Sequence, residues 1–430
     1  MPAALLFVIF VVLLVIAIPV SITLGIASVL PSVFDPSFTV GAKYLIRAMF
    51  GGLDSFPLLA VPMFVLSGII MAKGGISKKL FDIFAFFLGN FTAGMPCAVI
   101  VTCLFYGAIS GSAPATVAAV GSMTIPILSA LGYDRTFSTA IVAVAGGLGV
   151  IIPPSIPFIM YAMATGESVS DLFLAGIVPG MMISALLIFY AYYYCRRHGE
   201  DREKIQAKMD QLKTKGFVNI LKESIWALLS PVIVLGCIYS GVASPTEAAV
   251  ISVFYSLFVS LFIYKSIKVK QIWGIMVEAM KTYAPILFIL ATSTAFSRVL
   301  TLMQVPQDVS AWIMTHFSNE IVLLIVINVV LLIVGMVMDT TPAILILSPI
   351  LLPIVEYVGM NPIHFGVMMI VNLAVGFVTP PVGVNLFVAS SLTNVPMMQI
   401  AKKAMPMIGY FMLALLLITF IPAISLCLLS

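Results

Sequence analysis

Charge is what this sequence has least of: of 430 residues, 9% are Asp, Glu, Lys or Arg, against 62% that are hydrophobic. So few charges cannot coat a soluble protein of this length, and most of the surface must meet lipid. Histidine is nearly missing, with His198, His316 and His364 scattered along the chain. The five cysteines, Cys97, Cys103, Cys195, Cys237 and Cys427, lie in or beside apolar segments with no CxxC spacing, and read as small hydrophobes rather than disulfides or metal ligands. Nucleophile triads, zinc motifs and phosphate loops are also lacking, which argues against an enzyme and against a nucleic-acid partner. The cluster Gly146–Gly147–Leu148–Gly149 resembles a dinucleotide fingerprint only loosely; close helix packing in lipid explains it better. The apolar start, residues 3–30, has neither a basic leader region nor a small-residue cleavage site, and is expected to be a mature membrane segment.

What is present is a series of apolar runs near the length of about 20 residues needed to span a bilayer, for example 170–194, 225–241, 248–264 and 406–429. The runs repeat. An offset of 227 residues superposes Pro126 on Pro353, Pro153–Pro154 on Pro380–Pro381, Pro179 on Pro406 and Gly149 on Gly376. The chain therefore reads as a duplication, residues 1–195 and 224–430, joined by a polar connector, 196–223. Basic residues crowd the connector (Arg196, Arg197, Arg202, Lys204, Lys208), which places it in the cytoplasm. Treating 94–131 and 321–355 as re-entrant hairpins puts Lys73, Lys78, Arg135, Lys402 and Lys403 on that same side, and Lys43, Arg47, Glu167 and Asp171 opposite. This requires an odd number of crossings in each half, so the second half is inverted relative to the first, the architecture of alternating-access carriers. The stretch 3–33 must then supply two crossings turning at Pro19, or else one crossing with a cytoplasmic N-terminus. Amphipathic stretches at 76–87 and 269–281 read as interfacial helices.

Four segments interrupt the apolar pattern, in two repeat-related pairs. GAISGSAPAT at 107–116 and GMVMDTTP at 335–342 suit tight hairpin tips. GVIIPPSIP at 149–157 and GFVTPPVGVN at 376–385 interrupt the helices 136–165 and 363–390, because Pro-Pro cannot continue a regular helix. Freed carbonyls and hydroxyls there make an oxygen cage for a dehydrated alkali cation, while half-helix N-termini favour an anion. Each element alone would be only a kink that eases packing; four paired by the repeat point to a binding centre. Asp339 is a site residue by its place at a membrane-depth tip, or a solvated helix cap. Asn385 either contacts a polar solute or bridges helices, and Arg298 either binds an anion or snorkels to the interface.

The sequences GAISGSAPATVAAVGSMTIP, LGVIIPPSIPFIMYA, LFLAGIVPG, LILSPILLPI, HFGVMMIVNLAVGFVTPPVGVNLFVAS and FPLLAVPMFVLSGIIM resemble the large membrane subunit of the tripartite ATP-independent periplasmic (TRAP) transporters, from about residue 4 to the C-terminus. The resemblance implies an all-α polytopic fold of two inverted repeats, each with about five transmembrane helices, a re-entrant hairpin and a broken helix. It also implies an elevator mechanism in which a transport domain slides against a fixed scaffold with sodium and substrate. Carried onto this chain, Na+ would be held by Ser110, Gly111, Ser112, Pro153 and Ser155 in the first half and by Asp339, Thr340, Thr341, Gly376, Thr379 and Gly383 in the second. Substrate would lie between the tips, with Ser112, Asp339, Asn385 and Arg298 as candidates. The implied partners are a small four-helix membrane subunit, a periplasmic substrate-binding protein and an organic acid such as a C4-dicarboxylate or a sialic acid. The implied location is the bacterial inner membrane. A channel is the competing class, and a proton taken up through Asp339 is the alternative to sodium coupling.

Overall fold

The computed structural model describes residues 3–429 except 17, 35–37, 39–40 and 317–318, and every regular element among them is helical. The first half begins with α1 (Ala3–Val15) and α2 (Val20–Phe34), which pack together. Pro19 immediately precedes α2, so the stretch divides into two helices there, as the two-crossing alternative requires. Both are short: the 13 residues of α1 rise about 20 Å, less than a bilayer core. Then follow α3 (Ala42–Leu53), α4 (Ala60–Lys73), α5 (Ile76–Leu88), the hairpin arms α6 (Gly94–Ser110) and α7 (Ala113–Ala130), the broken helix α8 (Arg135–Ala145) and α9 (Ile156–Thr165), and α10 (Val169–His198). The connector forms α11 (Arg202–Lys215), capped by Asp201.

The second half comprises α12 (Phe217–Tyr239), α13 (Pro245–Phe258), α14 (Val269–Leu302), α15 (Val305–His316), the hairpin arms α16 (Glu320–Val337) and α17 (Thr340–Tyr357), the broken helix α18 (Pro362–Gly376) and α19 (Val384–Thr393), α20 (Met397–Phe420) and the short α21 (Ala423–Leu426). Among the described residues nine helices are long and apolar enough to cross a membrane, so the chain is a multi-pass membrane protein. Each broken helix starts from a matching cap. Asp134 accepts hydrogen bonds from the backbone N–H groups of Thr136 and Phe137, and Asn361 accepts from those of Ile363 and His364.

Three sequence expectations change. Residues 269–281 are not a separate interfacial helix; they are the first third of α14, which runs 34 residues, about 51 Å, straight through Pro285. The equivalent segment of the first half is broken, because Ser55 is extended (φ −139°) and Pro57 starts a 3-10 turn, Phe56–Leu59. Amphipathicity reports which face is apolar, not whether the helix continues. Residues 76–87 do form their own helix, α5, but Ile76, Leu80 and Phe81 are fully buried, with α6 and α12 packed against it. The helix that carries the last apolar run starts before it: α20 begins at Met397, takes in Lys402 and Lys403, and carries Pro406 inside it.

The two halves interlock. α7 packs on α19 and α17 on α9, while α20 covers α8 and α10 covers α18. Paired clasps hold the exchange: the Arg135 guanidinium donates to the Thr393 carbonyl at 2.8 Å, and the Tyr161 hydroxyl donates to that of Pro362 at 2.7 Å. Glu200, Tyr133, Ala93 and Arg202 meet at the connector, and Lys403 pairs with Asp134 at 3.4 Å, so α8 and α20 begin on the connector face. The 30 residues of α10 return the chain to the connector from the other face, where Tyr161 meets the start of α18. The two broken helices therefore run in opposite directions. Where α4 meets α13, Ser67 lies 2.6 Å from Ser252 and 2.7 Å from Ser256, hydroxyl contacts that only small residues allow. On their outer side α13 and the π-helical turn Val259–Ile263 that continues it expose Phe254, Phe258 and Phe262, as a lipid-facing wall does.

Candidate functional site

The first hairpin tip is knitted to the first broken helix. Gly111 takes φ +60°, a conformation that favours glycine, and ends α6. Its carbonyl accepts a hydrogen bond from the Ile156 N–H at 3.3 Å, and a Cβ on it would lie 3.0 Å from the Pro154 carbonyl oxygen. Around the tip the Ser110 and Thr116 hydroxyls are 3.0 Å apart, and Thr116 donates to the Ser112 carbonyl at 2.8 Å. Across from it the Ser155 hydroxyl donates to the Val150 carbonyl at 2.6 Å. Gly149 closes the assembly: a Cβ there would meet Thr116 Oγ1 at 2.5 Å and the Ser112 carbonyl at 2.8 Å. Ser110, Gly111 and Ser155 are buried at this junction and Ser112 is half-buried, with Pro153 next to the Pro154 contact, and their neutral, hard oxygen donors suit a sodium ion rather than a transition metal. Among the described residues no group of His, Cys, Asp and Glu is arranged to hold a metal ion.

The second pair is built differently. Gly376 presses on Gly335 so closely that a Cβ would lie 2.3 Å from the Gly335 carbonyl carbon, the counterpart of the Gly107–Gly149 approach. The Val382 N–H donates to the Met336 carbonyl at 3.2 Å, Asn385 N–H to the Phe377 carbonyl at 3.0 Å, and the Thr379 hydroxyl to the Val375 carbonyl at 2.8 Å. Gly383, at φ +54°, starts α19. Asp339 is the N-cap of α17, exposed, with its carboxylate accepting from the Thr340 N–H at 2.7 Å; Thr340 and Thr341 are buried behind it. Their described hydrogen bonds stay within α17, so the ties between this tip and the 376–383 turn run through Met336 and Gly335 instead.

The four proposed substrate residues fall in four places. Ser112 lines an inner cavity of about 640 Å³ that extends from the first tip, Ser110 and Ile156, to Lys73, Lys78 and Glu278. Its mouth lies on the connector face, where Lys79 pairs with Glu223 and the Ser224 hydroxyl donates to the Lys79 carbonyl at 2.8 Å. Arg298 lines a separate cavity of about 680 Å³ on the opposite face, with Arg47. Asn385 is fully buried and donates to the Ala143 carbonyl at 3.0 Å, bridging α19 to α8. Asp339 is the exposed cap already described.

Sequence reasoning did not single out Thr116, the Val150 carbonyl or Arg47. Thr116 was recoverable: it lies four residues after the extended Ser112, the spacing at which a threonine hydroxyl reaches back to a carbonyl. At the hairpin base, outside the spanning segments, the Tyr133 hydroxyl donates to Glu200 at 2.6 Å. Burial, then that hydrogen bond and the carboxylate's charge, push its ionisation well above the ordinary phenol range.

Residues 7–424 match the family model described as the tripartite ATP-independent periplasmic transporter, DctM component. The chain belongs to this family. Among DctM relatives it is 43% identical over 98% of its length to the isethionate TRAP transporter permease protein DctMQ of Oleidesulfovibrio alaskensis, spanning 66% of that protein. It is 39% identical to the C4-dicarboxylate TRAP transporter large permease protein DctM of Pseudomonas aeruginosa, over 88% of each chain. In fold the DctM chain is similar to the solved structure of MtrF from Neisseria gonorrhoeae, with a TM-score of 0.61, 14% identity and coverage of 97% of this chain and 94% of that one. That likeness extends to fold alone.

Proposed function

We propose that this DctM chain is the large permease subunit of a sodium-coupled carrier, in a bacterial inner membrane, for a small organic anion. The observation that carries the reading is the first tip: oxygens of the buried Ser110, Thr116, Val150 and Ser155 and of the half-buried Ser112, on a hairpin and a broken helix beside a cavity that opens to the connector face. Sodium held by Ser110, Ser112, Thr116, Val150 and Ser155 would add positive charge beside the half-helix N-terminus of α9, and so favour a carboxylate or sulfonate beside Ser112. The anion leaves toward Lys78. Relatives named for C4-dicarboxylates, isethionate and 2,3-diketo-L-gulonate share that small anionic chemistry. The second pair supplies the matching half of the centre through Thr379, Gly383 and Asp339, and the interlocked hairpins and broken helices move as one body against α4, α13 and α14 in an elevator cycle. A small membrane subunit and a periplasmic binding protein complete the system.

The test is uptake of labelled succinate into proteoliposomes holding this chain, its small subunit and a succinate-loaded binding protein. Saturable accumulation that follows an inward sodium gradient is expected. Equal accumulation with choline in place of sodium, or under a pH gradient alone, would sink the coupling; ohmic current would replace the carrier with a channel.

A further inference from the structure

The outer cavity is not explained by the sodium centre. It lies between two walls of opposite character. One wall, from α3 and α14, carries Arg47, Arg298, Ser293 and Ser297; the other, from α9 and α17, offers Met163, Ala164, Leu345 and Pro349. Neither arginine has an ion-pair partner among the described residues, although each carries a full charge at any physiological pH. Ser293 lines the same space at 1% exposure, and its hydroxyl has no hydrogen-bond partner. A buried hydroxyl left unpaired beside two unneutralised guanidinium groups is a set of donors without an acceptor. The geometry is held tightly, because α3 approaches α14 through Gly52, where a Cβ would lie 2.3 Å from Thr294 Oγ1.

We infer that this cavity is a second, sodium-independent anion site, which receives a small carboxylate or sulfonate on the face opposite the connector before it reaches the hairpin tips. Guanidinium groups match both ligand classes with paired N–H donors, and the Ser293 hydroxyl supplies a third. All the charge sits on the α3–α14 wall, so the anion is held there while the apolar α9–α17 wall passes it. The inference rests on the carrier reading above for its biological role, but binding itself does not require sodium or transport. An anionic lipid headgroup has the same chemistry and is the competing source.

The experiment places a cysteine at Ser297, half-buried in the same cavity, in a chain whose Cys237 and Cys427 are serine. The full chain is reconstituted in phosphatidylcholine without sodium and labelled with negatively or positively charged methanethiosulfonates. The anionic reagent is expected to react about tenfold faster relative to the cationic one than in the Arg47→Gln, Arg298→Gln double variant, because the local positive potential concentrates it. Millimolar succinate is expected to slow labelling in the parent and not in the double variant. If succinate protects neither, or both equally, the inference is overturned. If phosphatidylglycerol protects and succinate does not, the occupant is a headgroup and the inference is also overturned. Each single arginine variant still folded and inserted should raise the KM for succinate uptake several-fold while leaving the sodium half-saturation unchanged. A shift in sodium dependence instead would assign the arginines to the sodium centre. Loss of sodium coupling with succinate protection intact would remove the carrier reading and leave the site.

Discussion

The two tip-and-broken-helix pairs share a plan and differ in how they are closed. In the first, Gly111 and Gly149 let the hairpin tip touch the broken helix, and hydroxyls at Ser110, Thr116 and Ser155 fill the space between. In the second, the arms diverge: α16 packs chiefly on α18 and α17 on α9 and α14, so the tip relies on Met336 and the Gly335–Gly376 crossing, with Asp339 turned to cap its own helix. The first tip satisfies its loose helix ends with neutral groups inside the molecule; the second does so with a carboxylate at the surface. The first tip is thus sealed to its broken helix by hydroxyls and close glycine contacts, whereas the second meets its broken helix through the backbone at Met336 and Gly335.

The hardest blow to this comparison should be steric. Gly376→Ala puts a methyl into the Gly335 backbone, which has nowhere to go, and should destabilise by about 3 kcal/mol; Gly149→Ala meets a threonine hydroxyl first and should cost about 2 kcal/mol. Gly335→Ala, whose nearest backbone contact is 3.1 Å, is the milder control. Thermal unfolding in detergent reads the order, and a Gly149 variant less stable than the Gly376 variant would reverse the assignment of which crossing is tighter.

A smaller effect separates the chemistry of the two tips. Thr116→Val and Ser155→Ala remove oxygens of the sealed tip and should each raise the sodium half-saturation of uptake about tenfold, the equivalent of about 1.4 kcal/mol. Asp339 divides two roles by its replacements. Asparagine caps a helix as well as aspartate does, so Asp339→Asn should match the parent if the residue is only a cap, and should lose sodium affinity like Asp339→Ala if its charge neutralises a cation. Sodium titrations of succinate uptake give the answer, and the carrier reading expects the second result.

Much of this architecture was legible before any coordinates. The hairpins read as 94–131 and 321–355 are α6–α7 and α16–α17, and the broken helices read as 136–165 and 363–390 are α8–α9 and α18–α19, each within a few residues. Proline and glycine act on the local backbone, so their effects can be read from sequence alone. The divergence of α16 from α17, the continuity of α14 through Pro285 and the lodging of Arg47 beside Arg298 depend on which surfaces meet, and apolar periodicity records burial without naming the neighbour. Asn385 shows the limit at one residue: its polar side chain at depth was visible, but that it reaches the Ala143 carbonyl of the other half was not.

A third effect concerns the base of the sealed pair, which has a tether found at no described counterpart in the second half. Glu200, its side chain 3% exposed, accepts from the Ala93 N–H at 3.0 Å and from the Tyr133 hydroxyl at 2.6 Å, tying the connector to both ends of the hairpin. Tyr133→Phe removes one bond to a charged acceptor, about 2 kcal/mol at most. Its pH signature is specific. A phenol whose ionisation is raised in the folded state stabilises that state fully below its unfolded value of about 10, and the contribution fades as pH rises above it. The melting temperature of the parent should therefore fall more steeply between about pH 9 and pH 11 than that of the Tyr133→Phe variant. Parallel curves would mean that the phenol is free to ionise and that the connector does not hold the hairpin base through it. In that case the sealed tip would be anchored by its own hydroxyls alone, and the asymmetry between the two pairs would end at membrane depth.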